Sequence, residues 1–295
     1  MAIARKAGIR GAPRVKRAPG PAFALTIAGV RPAKSRGQNF LANAAIADRI
    51  VAAAELGPDD NAIEIGPGLG ILTERIAARP HRRLTLVELD SRLAERLAER
   101  FAADDTIAVL NEDFLAADFG AIAAGAPVKV IGNLPFSSAA AILRKLCGHA
   151  ESIASLVLMF QREVAERIRA RARGRDYGAL SVFTALYWEI DLHFIVAAGS
   201  FHPRPKVDAE VIRFRPRAGR WFAPGEERAV LDTVRASFSA PRKTIRNALA
   251  GALGLDSETI CAALAQAGID PGARAETLEP YRFAALARAL PYSNA

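Results

Sequence analysis

The chain has 295 residues, 51% hydrophobic and 24% charged, with 40 Lys and Arg against 31 Asp and Glu. That suits a soluble globular protein with one large domain and room for a second. No uncharged apolar run approaches the length of a bilayer span, so no transmembrane helix and no membrane partner are expected. Cys147 and Cys261 lie far apart and form no C-x-x-C, and His81, His149, His193 and His202 show no metal-ligand spacing. A disulfide framework and a metal site are therefore not expected, and a reducing, cytoplasmic setting fits.

The net charge of +9 is local. Residues 1–36 hold nine Lys and Arg and no acid, which leaves 31 basic residues against 31 acidic ones in the rest. The body is formally neutral, and residues 1–33 are expected to be a basic, disordered tail suited to an acidic partner, nucleic acid foremost. The alternatives are a merely solvated tail and an organellar transit peptide; Pro13 and Pro19 and the lack of an amphipathic period weaken the second.

Lys34–Leu41 ends the tail. A helix is expected from about Ala45 to Glu55, with Gln38 and Asn39 beside Phe40 and Leu41 as one possible helix entry. Asn61-Ala62-Ile63-Glu64-Ile65 then runs as a strand into Gly66-Pro67-Gly68-Leu69-Gly70, and an amphipathic segment follows from Ile71. Strand, glycine loop and helix open a nucleotide-binding α/β sheet. The loop lacks the Gly-Lys-Ser/Thr of a phosphate loop and the G-x-G-x-x-G of a dinucleotide site. E-x-G-x-G-x-G resembles the cofactor loop of S-adenosylmethionine-dependent methyltransferases.

A second strand, Leu84–Val87, ends at Glu88, an acid able to accept from both ribose hydroxyls of a nucleoside. Asp90 reads as the cap of a helix from Ser91 to Phe101. A third strand, Ile107–Leu110, leads to Asp113, placed to accept from an adenine amine, with Phe114 available to pack on the ring. A fourth, Val128–Gly132, runs into Asn133-Leu134-Pro135-Phe136, which resembles the catalytic motif of methyltransferases acting on exocyclic amino groups. The amine of adenine is weakly nucleophilic because its lone pair is delocalised into the ring. The Asn133 side-chain oxygen and the Leu134 carbonyl can hold its two hydrogens and aim the lone pair, with Pro135 fixing the backbone and Phe136 offering a stacking face.

A helix over 138–146, a strand over 153–160 and a helix over 161–171 follow. Arg167, Arg169, Arg171, Arg173 and Arg175 fall at alternate positions, which do not share a helix face, so the later part reads as a basic loop able to grip phosphates. Residues 177–190 read as one packed helix. Phe201–Asp208 is a proline-stiffened loop before a last strand, Glu210–Phe214. Phe201 is placed either as a second base-stacking wall opposite Phe136 or as an anchor in the core. From Gly225 to Leu290 every periodic segment reads as helix, and Arg242, Lys243 and Arg246 make a second RNA contact.

Together these segments, with Gly37–Leu41, resemble the ribosomal RNA adenine N6-dimethyltransferase family over roughly Lys34 to the end. The segments Arg242–Asn247 and Arg274–Leu278 look like its small-subunit branch. The resemblance implies a Rossmann-like catalytic domain over 34–216 with a small all-helical RNA-binding domain over 217–295. It implies that Gln38, Asn39, Leu41, Gly66, Gly68, Glu88, Asp113 and Asn133 line the S-adenosylmethionine site. It also implies transfer of methyls to two adjacent adenines near the 3′ end of small-subunit RNA, in a pre-ribosomal particle, by a monomer. Two departures stand out: Phe136 replaces the Tyr usual in bacterial members, and Ser137–Ala141 looks more like the macrolide-resistance branch acting on large-subunit RNA. That branch is the alternative; an RNA-binding factor that has kept the fold without catalysis is a third reading.

Overall fold

In the computed structural model, residues 39–125 and 127–291 are described. The basic segment 1–33 and Gln38 lie outside them. The main sheet has seven strands: β2 (Asn61–Ile65), β3 (Arg83–Glu88), β4 (Ile107–Asn111), β5 (Val128–Asn133), β6 (Ile153–Gln161), β7 (Trp188–Val196) and β9 (Ala209–Pro216). Their order is β4-β3-β2-β5-β6-β9-β7, parallel from β4 to β6, with β9 antiparallel to both neighbours. A separate ribbon pairs β1 (Phe40–Leu41) with β8 (Phe201–His202).

The strands are short apolar runs because both faces are covered. Period two splits each run. On β5, Val130 joins one core with Ile63, Ile65 and Leu158, while Ile131 joins the other with Ala62, Leu84 and Leu86. α1 (Ala44–Ala53) and α2 (Thr73–Ala77) bring Ile50, Val51 and Ile76 to the second core. α5 (Ala139–Cys147) and α7 (Ala179–Tyr187) bring Leu143, Leu146, Val182 and Leu186 to the first. α3 (Ser91–Arg100) follows β3, and its N-cap is Asp90, whose Oδ1 accepts from the Arg92 N–H at 3.1 Å, as expected. α1 is capped by Asn43, which accepts from Ala45 and Ile46, and not by Asn39. A short helix, α4 (Phe119–Ala123), precedes β5.

Two boundaries differ from expectation. The helix after β6, α6 (Arg162–Arg169), ends two residues early, and the basic run leaves it there. The stretch 177–190 is two elements: α7 ends at Tyr187 and β7 starts at Trp188. Trp188–Val196 alternates buried and more exposed positions with period two, and β9 offers it a sheet edge, so pairing prevails over the apolar run's helical reading. The paired β1 and β8, two residues each, carry no periodic signal of their own.

After β9 the regular elements are helical: α8 (Glu227–Ser237), α9 (Ile245–Leu253), α10 (Ser257–Gln266) and α11 (Pro280–Ala289), with single 3-10 turns between. α9, α10 and α11 share a cluster of Ile245, Leu249, Ile260, Leu264 and Leu286. α8 and α11 also reach the sheet: Val230, Val234, Phe283 and Ala284 pack in the same core as Val182 and Leu186. The catalytic sheet and the helical region are therefore joined by continuous apolar packing.

Candidate active site

The strand order reverses between β2 and β5, and open α/β sheets bind ligands beyond the carboxyl ends of the strands at such a point. Here β2 ends in the glycine loop and β5 ends in Asn133. Gly66, Gly68 and Gly70 have φ of +66°, +58° and +82°, so the loop needs glycine at each turn. A Cβ on Gly66 would meet nothing within 4 Å, so backbone borders open space there; one on Gly68 would stand 3.0 Å from the ring of Phe40. Phe40 thus covers the loop.

Glu88, at the end of β3, braces it. Its Oε2 accepts from the Gly68 N–H and its Oε1 from the Asp90 N–H, both at 2.9 Å, and the residue is 5% exposed. Burial raises its pKa, and these two backbone donors oppose that. A carboxylate offers about four lone-pair sites, so each oxygen keeps capacity for a hydroxyl donor. Glu64 lies wholly buried on β2; its Oε2 accepts from the Thr73 hydroxyl at 2.7 Å. Burial pushes its pKa up to about 8, helped by the charge of Glu88.

Asp113 stands exposed beyond β4, its Oδ1 accepting from the Leu115 N–H at 2.9 Å. Phe114 is not free to pack on a ligand ring. It is buried, edge-on to Phe119 at 6.2 Å, because the turn after Asp113 directs it inward. Glycine loop, Glu88 and Asp113 therefore follow the ends of three adjacent strands, as a nucleoside with a charged tail requires.

At the end of β5, the Asn133 Nδ2 donates to the main-chain carbonyl of Asn39 at 3.1 Å. A carbonyl can only accept, so the amide nitrogen must face Asn39 and Oδ1 must point the other way. The Pro135 carbonyl accepts from Ser138 and Ala139 at 3.0 Å, opening α5, whereas the Leu134 carbonyl has no such partner among the described residues. Two acceptors on consecutive residues are thus available. Leu134 itself is anchored in the core, and Phe136 is half-buried against the second core. Gly132 permits the approach of β2 and β5: a Cβ there would lie 3.0 Å from the Ile65 carbonyl.

Phe201 is brought near but not as a wall. It is 4% exposed in the core, on the β8 strand that pairs with Leu41, so it acts as the anchor of its loop. Leu41 is likewise buried. The segment Asn39–Leu41 therefore touches the glycine loop through Phe40, the catalytic motif through Asn39 and the Phe201 loop through β1. The cover supplied by Phe40 and the Glu64–Thr73 bond have no sequence signal beyond proximity to the glycines.

The basic residues divide. Arg167 pairs with Glu163 on the exposed face of α6, while Arg171 and Arg173 are exposed on the loop beyond it. Arg169 turns inward: its Nε lies 2.8 Å from Oε1 of Glu210, which is 1% exposed and also faces His193 Nδ1 at 2.9 Å. That commits Arg169 to the fold. The loop is braced against the helical region, since the Arg173 N–H donates to Glu276 O at 2.8 Å and the Tyr177 hydroxyl to Leu278 O at 2.7 Å. Arg242, Lys243 and Arg246 are exposed around the start of α9. Among the described residues no helix is long and apolar enough to cross a membrane, and no group of three or more metal-ligating side chains occurs.

Residues 31–290 match the family model for ribosomal RNA adenine dimethylase. The chain is 41% identical over 266 residues to a ribosomal RNA small subunit methyltransferase A of Geobacter metallireducens, covering 89% of this chain and 96% of that protein. It is 42% identical over 271 residues to the protein of that name in Moorella thermoacetica, covering 89% and 93%. Among solved structures, the 23S rRNA methyltransferase ErmE is 31% identical with a TM-score of 0.63, covering 86% of this chain and all of that one. A dimethyladenosine transferase of Plasmodium falciparum, 24% identical, shares the fold at a TM-score of 0.71 over 84% and 95% of the two chains. On this coverage the chain belongs to the ribosomal RNA adenine dimethylase family.

Proposed function

We propose that this protein transfers methyl groups from S-adenosylmethionine to the N6 amines of two adjacent adenosines near the 3′ end of small-subunit ribosomal RNA, on a pre-ribosomal particle. The observation that carries the mechanism is the Asn39–Asn133 hydrogen bond, which leaves Asn133 Oδ1 and the Leu134 carbonyl as a pair of acceptors.

The residues present fit the cofactor. The backbone at Gly66 borders open space, Glu88 keeps lone pairs for the ribose hydroxyls, and Asp113 accepts from the adenine amine. Asn39 and Leu41 close the site from the β1 side, with Gln38 beside them in sequence. S-adenosylmethionine supplies an electrophilic methyl on sulfonium. Asn133 Oδ1 and Leu134 O each accept one N6 hydrogen of the target, which turns the nitrogen lone pair out of conjugation and towards that methyl. The nitrogen so held would take that methyl as the methyl–sulfur bond broke. The nitrogen then sheds a proton to solvent, so no strong base is needed. Phe136 stacks on the base.

Arg167, Arg171 and Arg173, with Arg242, Lys243 and Arg246, contact RNA phosphates. The protein acts as a monomer in the cytoplasm, which sedimentation and fractionation test. Small-subunit RNA is favoured over large-subunit RNA by identities of 41% and 42% to the named small-subunit enzymes against 31% to ErmE. The test offers methyl-labelled S-adenosylmethionine with unmethylated small subunits or naked large-subunit RNA. Label on two adjacent adenines of the small subunit is expected; label confined to large-subunit RNA overturns the assignment.

A further inference from the structure

A groove of about 740 Å³ opens beside the catalytic motif, lined by Asn39, Phe136, Gln161, Arg162, Lys206 and Asp208 among others. Sites for small ligands run to roughly 300–1,000 Å³, so it has room for one nucleotide. Most of its charges have a partner. Arg162 Nε pairs with Glu166 at 2.9 Å, and Glu163, which also lines it, pairs with Arg167. Asp208 Oδ1 accepts from the Ala198 N–H at 2.9 Å. Lys206 is the cation of this lining left exposed and without a carboxylate partner among the described residues.

Its loop is stiff. Pro203 and Pro205 restrict the backbone on either side of Arg204, and the Asp208 carbonyl accepts from the Arg162 N–H at 3.0 Å. A lysine on a pinned loop at the mouth of a nucleotide-sized groove is a point charge set in advance for a phosphate.

We infer that Lys206 is a positioning residue that grips the phosphodiester next to the target adenosine, so that the base enters beside Phe136 from an anchored strand. This rests on the RNA adenine methyltransferase reading. Arg162 supports it: its exposed pair with Glu166 is weak and can exchange for the phosphate.

The test compares Lys206→Ala, Lys206→Arg and Arg204→Ala in steady-state methylation of unmethylated small subunits across a salt series. Lys206→Ala is expected to raise KM about tenfold with kcat within about twofold, and to lower the salt slope of binding by about one. Lys206→Arg should restore most of the KM. Calorimetric affinity for S-adenosylmethionine should not change. Wild-type KM and salt slope in Lys206→Ala would overturn the inference while leaving the enzymatic reading intact. An equal KM effect in Arg204→Ala would also overturn it, by showing diffuse charge in place of a specific contact. A wild-type protein that binds the cofactor and labels no adenine would overturn the reading beneath it.

Discussion

Asn133 and Asn39 stand 94 residues apart and are joined by one hydrogen bond, from the Asn133 amide nitrogen to the Asn39 main-chain carbonyl at 3.1 Å. That bond decides which way the amide faces. The amide character of Asn133 therefore matters at both ends: nitrogen towards Asn39, oxygen free for the proposed substrate amine. Asn133→Ala removes one acceptor and should lower kcat by roughly 10²–10³-fold, the usual cost of losing one such group. Asn133→Asp should be no milder, because it sets a carboxylate oxygen against the Asn39 carbonyl and breaks the bond that orients the site. Single-turnover methylation with calorimetric cofactor binding checks both; near-wild-type turnover in Asn133→Asp would refute the orienting role.

Gly68 combines two constraints, a φ of +58° and a Cβ position 3.0 Å from the Phe40 ring. Gly219 has φ of +77° with nothing within 4 Å, so it supplies the strain alone. Gly68→Ala and Gly219→Ala should each cost roughly 1–2 kcal/mol of stability from the left-handed backbone. Gly68→Ala alone should also weaken S-adenosylmethionine binding, by at least about tenfold, because Phe40 must shift off the loop. Thermal melts and calorimetry separate the two effects. Equal cofactor affinity in both variants would show that the cover by Phe40 is irrelevant to the site.

Arg169 and Arg171 look alike in the sequence and are placed differently. Arg169→Ala leaves the carboxylate of Glu210 buried with His193 as its remaining close polar neighbour at 2.9 Å and the charge of Arg162 acting from further off. Removing one partner of a buried pair costs about 3–5 kcal/mol, and the partial exposure of Arg169 puts the expected loss at or below the low end. Arg171→Ala and Arg173→Ala should leave urea unfolding within about 0.5 kcal/mol of wild type and weaken binding to small subunits. An unchanged midpoint in Arg169→Ala would mean that Glu210 finds compensation elsewhere.

The split among the arginines marks where the sequence stops being legible. The places of the glycine loop, Glu88 and Asn133 at strand ends are legible because a short apolar run fixes each end locally. Asp90 as a cap was readable for the same reason. Phe201 and Phe114 were less so: an aromatic suits a base-stacking wall and a core equally, and only the β1–β8 pairing and the turn after Asp113 send these two inward. Trp188–Ile190 reads as helix because its apolar content continues that of α7, and the β9 edge that makes it the start of a strand is formed by residues more than twenty positions later. Arg169 faces Glu210 only because α6 packs over β9, a contact that spacing within α6 cannot announce.

Glu64 gives the clearest dependence on pH. It is fully buried, accepts a hydrogen bond from Thr73, and titrates near about 8 in place of its ordinary 4.5, chiefly because burial disfavours the charged form. Between those values the folded protein holds a proton that the unfolded chain has released. Rising pH across that window therefore favours unfolding, by at most about 1.4 kcal/mol per unit, and the loss is complete above the folded value. Glu88, whose pKa is also raised by burial, acts in the same direction. Glu64→Gln keeps an acceptor for Thr73 and removes the titration, so its stability should fall less between pH 5 and pH 9 than that of the wild type. Urea midpoints measured across that range decide it: parallel curves for the two proteins would mean that Glu64 is already ionised in the folded state.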